Sequence, residues 1–98
     1  MSVQTVRFRT SPEQVPVATE RINALFDAVH AAAPRDMRYI ALRETGEPVF
    51  TLILELPDGT ENPLPSIPAA VAFRRWLSGR TEDDPAPCSC TVVCRYSA

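Results

Sequence analysis

The sequence predicts an α+β domain in the order strand, helix, strand, strand, helix, strand. Two segments carry apolar residues at helical spacing, four segments alternate or are rich in β-branched residues, and turn residues separate them. The 98 residues suit one ordinary domain, so we expect residues 1–98 to form a single unit without a linker or repeat. This order predicts a four-stranded antiparallel sheet with both helices on one face.

The N-terminal third predicts a strand followed by a long helix. Apolar and polar residues alternate over Val3–Arg9, which is typical of a strand with one apolar face. Ser11 and Pro12 are typical of a helix start, with Ser11 as the cap. Pro16 lacks an amide hydrogen, so the first turn is irregular or the helix begins later, and Pro34 ends the helix. The apolar stripe of this helix comprises Ala18, Ile22, Leu25, Phe26, Val29 and Ala33.

Two strands joined by a turn follow, over Met37–Glu44 and Val49–Leu56. Because side chains alternate along a strand, one face should carry Tyr39, Ala41, Arg43, Phe50, Leu52 and Leu54. We expect this face to pack on the helices. The other face should carry Arg38, Ile40, Leu42, Thr51, Ile53 and Glu55. A four-residue turn would place Arg38 opposite Glu55, either as a cross-strand ion pair or as a polar spot inside a dimer. Because the second face is also apolar, we expect a second copy of the chain to cover it.

The C-terminal third predicts a second helix and a last strand. Ser66 is the expected cap of the helix, and Gly79 is its expected end. The apolar stripe comprises Ala69, Ala70, Phe73, Trp76 and Leu77, and leaves Arg74 and Arg75 off it. An acidic, proline-containing loop is predicted over Thr81–Pro87, and a strand over Cys88–Tyr96.

Charge and composition exclude several classes of partner. The net charge is −2, every basic residue is Arg, and no basic run could follow a nucleic-acid backbone. No apolar run is long enough to span a bilayer, and no leader precedes the first strand. The 3 cysteines are an odd number crowded at one end, unlike a secreted disulfide framework. We therefore expect a cytoplasmic protein that binds neither nucleic acid nor membrane.

Short segments along nearly the whole chain carry a family resemblance through their order and spacing. They are Met37-Arg38-Tyr39, Val49-Phe50-Thr51, Glu61-Asn62-Pro63-Leu64, Phe73-Arg74-Arg75-Trp76-Leu77 and Val92-Val93-Cys94-Arg95-Tyr96. The chain resembles small members of the antibiotic biosynthesis monooxygenase superfamily, which have a ferredoxin-like fold and form dimeric α/β barrels. The resemblance implies a homodimer. Some members oxygenate aromatic or quinol-like substrates without metal or flavin, others degrade haem, and many have no known activity.

The sequence departs from that pattern at one position. Related small proteins often carry a histidine just after the aromatic residue of the third strand. Here that region is Phe50-Thr51-Leu52, without a histidine. The resemblance therefore transfers no catalytic residue to this chain.

Four residues are candidates for a site. His30 is the single histidine; it is either a base or haem ligand at a pocket rim, or a residue that the helix dipole favours in a last turn. Tyr39, Phe73 and Trp76 are candidate ligand-binding residues. The helical spacing of Phe73 and Trp76 is equally typical of core residues, whereas a buried Tyr39 needs a partner for its hydroxyl.

The cysteines do not predict a metal site. A straight strand directs Cys88, Cys90 and Cys94 to one face but separates Cys90 from Cys94 by roughly 13 Å. One zinc ion cannot bind both, since a Zn–S bond is about 2.3 Å long. We interpret the cysteines as small apolar residues, with Cys88, nearest the loop, the most reactive. No cofactor or metal is predicted.

Three functions remain open. The first is a non-catalytic homodimer that binds a small hydrophobic or aromatic ligand, or another protein. The second is a cofactor-independent oxygenase acting on an aromatic or quinol-like molecule, with Tyr39, Trp76 and His30 at a pocket between sheet and helices. A haem-degrading enzyme is a third possibility. No nucleophile–base pair, phosphate-binding glycine loop or metal set decides between them.

Overall fold

Four strands and two helices follow one another in the predicted order. The computed structural model describes residues 2–79 and 87–96. The strands are β1 (Ser2–Arg9), β2 (Arg38–Arg43), β3 (Val49–Leu56) and β4 (Cys88–Thr91), and the helices are α1 (Val15–Ala32) and α2 (Pro68–Ser78). Short 3-10 turns at Pro12–Gln14 and Leu64–Ser66 precede the two helices.

The strands form one antiparallel sheet in the order β2-β3-β1-β4. The two central strands, β1 and β3, pair along their whole length, from Ser2 opposite Leu56 to Arg9 opposite Val49. This topology is the ferredoxin-like arrangement, and the predicted fold class is confirmed. The loop predicted at 81–87 lies outside the described residues, except for Pro87.

The sheet has two faces with different roles. Directly paired residues in an antiparallel sheet project from the same side. One side, here called the helix face, carries Gln4, Val6, Phe8, Tyr39, Ala41, Phe50, Leu52 and Leu54. The other, here called the outer face, carries Val3, Thr5, Arg7, Arg38, Ile40, Leu42, Thr51, Ile53 and Glu55. The predicted division of β2 and β3 between two faces is therefore confirmed.

The turn between β2 and β3 has the length that sets this register. The amide of Glu44 donates to the carbonyl of Val49 at 2.9 Å, so residues 45–48 form a four-residue turn. Arg38 consequently lies opposite Glu55, as expected for a turn of this length. The ion pair of Glu55, however, is formed with Arg95 at 2.9 Å.

Both predicted helix caps were wrong. Ser11 makes no side-chain capping bond, because Pro12–Gln14 form a separate 3-10 turn and α1 begins only at Val15. Pro16 then occupies the first turn of α1, where no amide hydrogen is required. Ser66 likewise belongs to the turn before α2 and donates to the carbonyl of Pro63 at 2.7 Å. The predicted end of α2 at Gly79 is confirmed.

The last strand is shorter than predicted. The sequence predicts a strand to Tyr96, but β4 ends at Thr91. Its neighbour gives the physical reason: Thr91 pairs with Ser2, the first described residue of β1, so β4 extends as far as the described part of β1. Beyond Thr91 the chain leaves the sheet, and Val93 is 94% exposed.

The core lies between the helix face and the two helices. Its centre is Phe8, which is 1% exposed. The ring of Phe8 stacks on Phe50 at 5.3 Å between centroids and meets the edge of Phe73 at 6.3 Å. Ala18, Leu25 and Leu77 close this cluster from the helices. The core therefore fixes α2 over the sheet through aromatic contacts.

Candidate ligand cavity

A cavity of about 330 Å³ lies between the helix face of the sheet and α2. This volume is at the lower end of the range of about 300–1,000 Å³ that is usual for small-molecule sites. Most of its lining is apolar, which is also usual for such sites. The cavity is therefore the candidate functional site.

Two rows of side chains on the sheet form the cavity floor. Tyr39, Leu54 and Gln4 lie side by side across β2, β3 and β1, because Leu54 pairs with both of the others. Leu52 and Val6 form the adjacent row in the same way. The floor is apolar at its centre and carries a phenol and an amide at the first row.

Helix α2 and the loop before it form the roof. Ala70, Phe73, Arg74 and Leu77 line the cavity from the helix. The spacings of three and four residues place these side chains on one helical face. Asn62, Leu64 and Pro65 close the cavity from the loop. Leu25 is the contribution of α1.

The position of Arg74 corrects the sequence interpretation. Arg74 was expected off the apolar stripe of α2, yet its side chain lines the cavity. It follows Ala70 by four residues and precedes Leu77 by three, so helical geometry places it between two buried residues. The sequence analysis missed this position because an apolar stripe is defined by apolar residues and Arg74 is charged. The aliphatic part of an arginine side chain can line a cavity while its guanidinium reaches solvent.

Tyr39 is the most strongly perturbed titratable group of the described chain. Its ring stacks on Phe26, with 4.8 Å between centroids and an interplanar angle of 9°. Burial raises the pKa of Tyr39 to about 12, against the opposite effect of the positive charge of Arg74. The hydroxyl is therefore protonated at neutral pH and can donate a hydrogen bond.

Asn62 is held in place by its own loop. Its Oδ1 accepts the amide hydrogen of Leu64 at 3.0 Å, which fixes the side chain in a local turn. Its NH₂ group is a donor. Neither Gln4 nor Asn62 was a predicted site residue.

The structure brings two of the four candidate residues to the cavity. Tyr39 and Phe73 line it, whereas Trp76 and His30 do not. His30 is exposed in the last turn of α1. Trp76 packs beside Phe73 at 5.8 Å between centroids, and the Arg21 guanidinium carbon lies 5.7 Å from the Trp76 ring centroid. The buried Nε1 atom of Trp76 has no hydrogen-bond partner within the described residues.

The three cysteines are exposed free thiols. Cys88 and Cys90 pair with Thr5 and Val3, so both lie on the outer face. The Sγ atom of Cys90 is 3.8 Å from the Oγ1 atom of Thr5. Cys94 lies beyond the end of β4, which corrects the expectation that all three share one strand face. Across residues 2–79 and 87–96, no group of three potential ligands could hold a metal ion.

Comparison with solved structures identifies the fold. A protein described as antibiotic biosynthesis monooxygenase matches with a TM-score of 0.67 over 96% of this chain and 100% of that chain, at 15% sequence identity. No family model matches the sequence, and no curated protein does. The fold is that of antibiotic biosynthesis monooxygenase, so the resemblance stated above is confirmed for the fold. None of the described helices is long and apolar enough to cross a membrane.

Proposed function

We propose that this protein binds a small hydrophobic or aromatic molecule in the cavity beneath α2. The observation that carries the proposal is the cavity itself, about 330 Å³ in volume and largely apolar in its lining. A pocket with an apolar body and a few polar groups is the usual form of a small-molecule site. The polar groups here are those of Gln4, Tyr39, Asn62 and Arg74.

Aromatic side chains favour a planar ligand. Phe73 contributes to the roof and Tyr39 to the floor, and the Tyr39 ring is held by its stack on Phe26. Aromatic groups prefer offset or edge contacts with other rings, which add to the free energy gained from area burial. A ring inserted between roof and floor would gain both contributions.

A cavity-filling substitution tests the proposal. Ala70 lines the cavity and is 6% exposed, so Ala70→Leu would place a larger side chain in the ligand space. Ala72→Leu is the matched control, because Ala72 is an exposed residue of the same helix. The neutral fluorescent probe N-phenyl-1-naphthylamine should bind the wild type and Ala72→Leu, and should bind Ala70→Leu at least about tenfold more weakly. Equal binding to all three proteins would show that the cavity is not the site.

The same proposal includes a homodimer. Ile40 and Leu42 on the outer face are 50% and 46% exposed, and Ile53 lies opposite Ile40 on the same face. A face with exposed apolar residues and both helices on the opposite side is typical of an interface.

Native mass spectrometry of freshly purified protein reports the subunit number and any retained ligand together. Cytoplasmic residence stays a prediction.

A second candidate function is a cofactor-independent oxygenase acting on an aromatic or quinol-like molecule. The observation that favours it is the shared fold with a solved monooxygenase, together with a protonated tyrosine at the cavity. Oxygen uptake with a panel of quinols tests it. Tyr39→Phe should reduce the rate if the hydroxyl orients the substrate, whereas His30→Ala, outside the cavity, is the control. Uptake no faster than the uncatalysed oxidation would remove this function.

A further inference from the structure

We propose that Cys88 and Cys90 form a redox-active thiol pair, which a small-molecule disulfide converts to an intramolecular disulfide. The pair lies on the outer face of the sheet, so it is separate from the ligand cavity on the helix face. Three observations support the proposal: both thiols are exposed, their spacing along β4 suits a bridge, and each sulfur atom leans toward the other cysteine.

Both thiols are open to a reagent in solution. All residues of β4 are exposed, and Cys88 and Cys90 are free thiols. In the described sheet β4 is an edge strand with β1 as its neighbour. Ile40 and Leu42, which carry the proposed homodimer interface, lie on β2 at the opposite edge. A small disulfide can therefore reach the pair from the free edge of the sheet.

The spacing of the two cysteines suits a disulfide. Residues two apart on a strand project from the same face, and pairing with Thr5 and Val3 places both cysteines on the outer face. A rise of about 3.3 Å per residue separates their Cα atoms by about 6.6 Å. Disulfides join Cα atoms that are about 4.4–6.8 Å apart, so the pair lies within this range and near its upper limit.

The two sulfur atoms lean toward each other along the strand. The Sγ atom of Cys90 lies 3.7 Å from the carbonyl oxygen of Cys88 and 3.8 Å from the Oγ1 atom of Thr5. Because Thr5 is opposite Cys88, both contacts place this sulfur on the side of Cys88. The Sγ atom of Cys88 lies 3.9 Å from the carbonyl oxygen of Ser89, which is on the side of Cys90. The side chains therefore already have the direction that a bridge requires.

The oxidation is a thiol–disulfide exchange in two steps. One cysteine thiolate attacks a sulfur of glutathione disulfide, which forms a mixed disulfide and releases one glutathione. The second cysteine thiolate then attacks the sulfur of the first cysteine, which forms the Cys88–Cys90 bond and releases a second glutathione. The protein gives up two electrons and two protons, and the two molecules of reduced glutathione carry both.

Intact-protein mass spectrometry after incubation with glutathione disulfide tests the proposal. Labelling with N-ethylmaleimide under denaturing conditions counts the thiols that remain. The wild type should lose two hydrogen atoms and retain one of its three reactive thiols. An excess of reduced glutathione should restore all three, because a bridge near the upper limit of Cα separation is strained and readily reduced.

Three serine variants identify the thiols that form the bridge. Cys94→Ser is the matched control and should lose two hydrogen atoms as the wild type does. Cys88→Ser and Cys90→Ser should each lose the internal bridge and form at most a mixed disulfide with glutathione. All three cysteines are exposed, so none of these substitutions removes a core contact.

Several results would overturn the proposal. A wild type that keeps all three thiols, or that carries glutathione in place of an internal bridge, would show that the pair does not close. An internal bridge that persists in Cys88→Ser or Cys90→Ser would make Cys94 the partner. Disulfide-linked dimers on a non-reducing gel, in place of the internal bridge, would assign the thiols to a contact between copies. A bridge that resists excess reduced glutathione would contradict a reversible pair.

Discussion

At the scale of single residues, the positions of Tyr39 and Arg74 decide the character of the cavity. Tyr39 lies in the floor with its ring against Phe26, and Arg74 lies in the roof. Burial favours the neutral form of the phenol more strongly than the guanidinium favours the phenolate. The Tyr39 hydroxyl therefore stays protonated at neutral pH.

The raised pKa of Tyr39 predicts a pH dependence of stability. An exposed tyrosine has a pKa of 10.0, and burial raises the pKa of Tyr39 to about 12, so the folded protein retains this proton where the unfolded chain loses it. The resulting stabilisation is complete below pH 10 and is lost as the pH rises toward 12. Its upper limit is about 3 kcal/mol in the free energy of unfolding.

Urea denaturation between pH 9 and pH 12 measures this effect. Tyr39→Phe should flatten the fall in the free energy of unfolding with pH. Tyr96→Phe is the matched control, because Tyr96 is 90% exposed, and its profile should follow the wild type. A wild-type profile unchanged by Tyr39→Phe would contradict the assignment.

At the scale of elements, the two helices end with different backbone conformations. Gly79 ends α2 with φ −95°, a conformation open to any residue. Ala33 ends α1 with φ 47°, in the left-handed region that favours glycine. Its amide still donates to the carbonyl of Val29 at 2.9 Å, so the cap geometry is kept despite the Cβ atom. Pro34 follows and prevents α1 from continuing.

The left-handed Ala33 predicts a stabilising substitution. Ala33→Gly should raise the free energy of unfolding by about 0.5–1 kcal/mol, because relief of backbone strain exceeds the added entropy of the unfolded chain. Ala32→Gly, within α1, is the control and should lower it by up to about 1 kcal/mol. Chemical denaturation measures both values, and a destabilised Ala33→Gly would show that the left-handed cap is not strained.

At the scale of the whole molecule, the sheet separates a cavity side from the outer face. Helices cover the helix face and enclose the cavity, while the outer face presents Ile40 and Leu42 to solvent. The Glu55–Arg95 ion pair brings the segment after β4 back toward β3 on this face. A second copy of the chain would bury the apolar part that remains.

Ile40→Asp tests the interface at this scale. A charge on the outer face should shift the protein from dimer to monomer, since burial of an unpaired carboxylate opposes association. Val17→Asp is the control, because Val17 is 37% exposed on α1 and does not belong to the outer face. Light scattering coupled to size-exclusion chromatography measures the mass of each. A wild-type monomer, or an Ile40→Asp dimer, would contradict the proposed interface.

Local pattern was sufficient for the elements and for the faces of the hairpin. Alternation assigned Tyr39 and Leu54 to one face, and the register confirms that they are neighbours. It was insufficient for β4, because the end of a strand depends on the length of its partner. It was also insufficient for the caps, because Pro12–Gln14 and Leu64–Ser66 form separate 3-10 turns before the helices.

By itself, the sequence determined the order of elements, the apolar face of each and the α+β class, since these follow from spacing along the chain. Only the tertiary structure decided that Tyr39, Phe73 and Arg74 share one cavity while His30 and Trp76 lie outside it. The reason is that a cavity is volume left between packed elements. Its shape and lining depend on how α2 and the loop at Asn62 pack on the sheet, through contacts among residues distant in sequence.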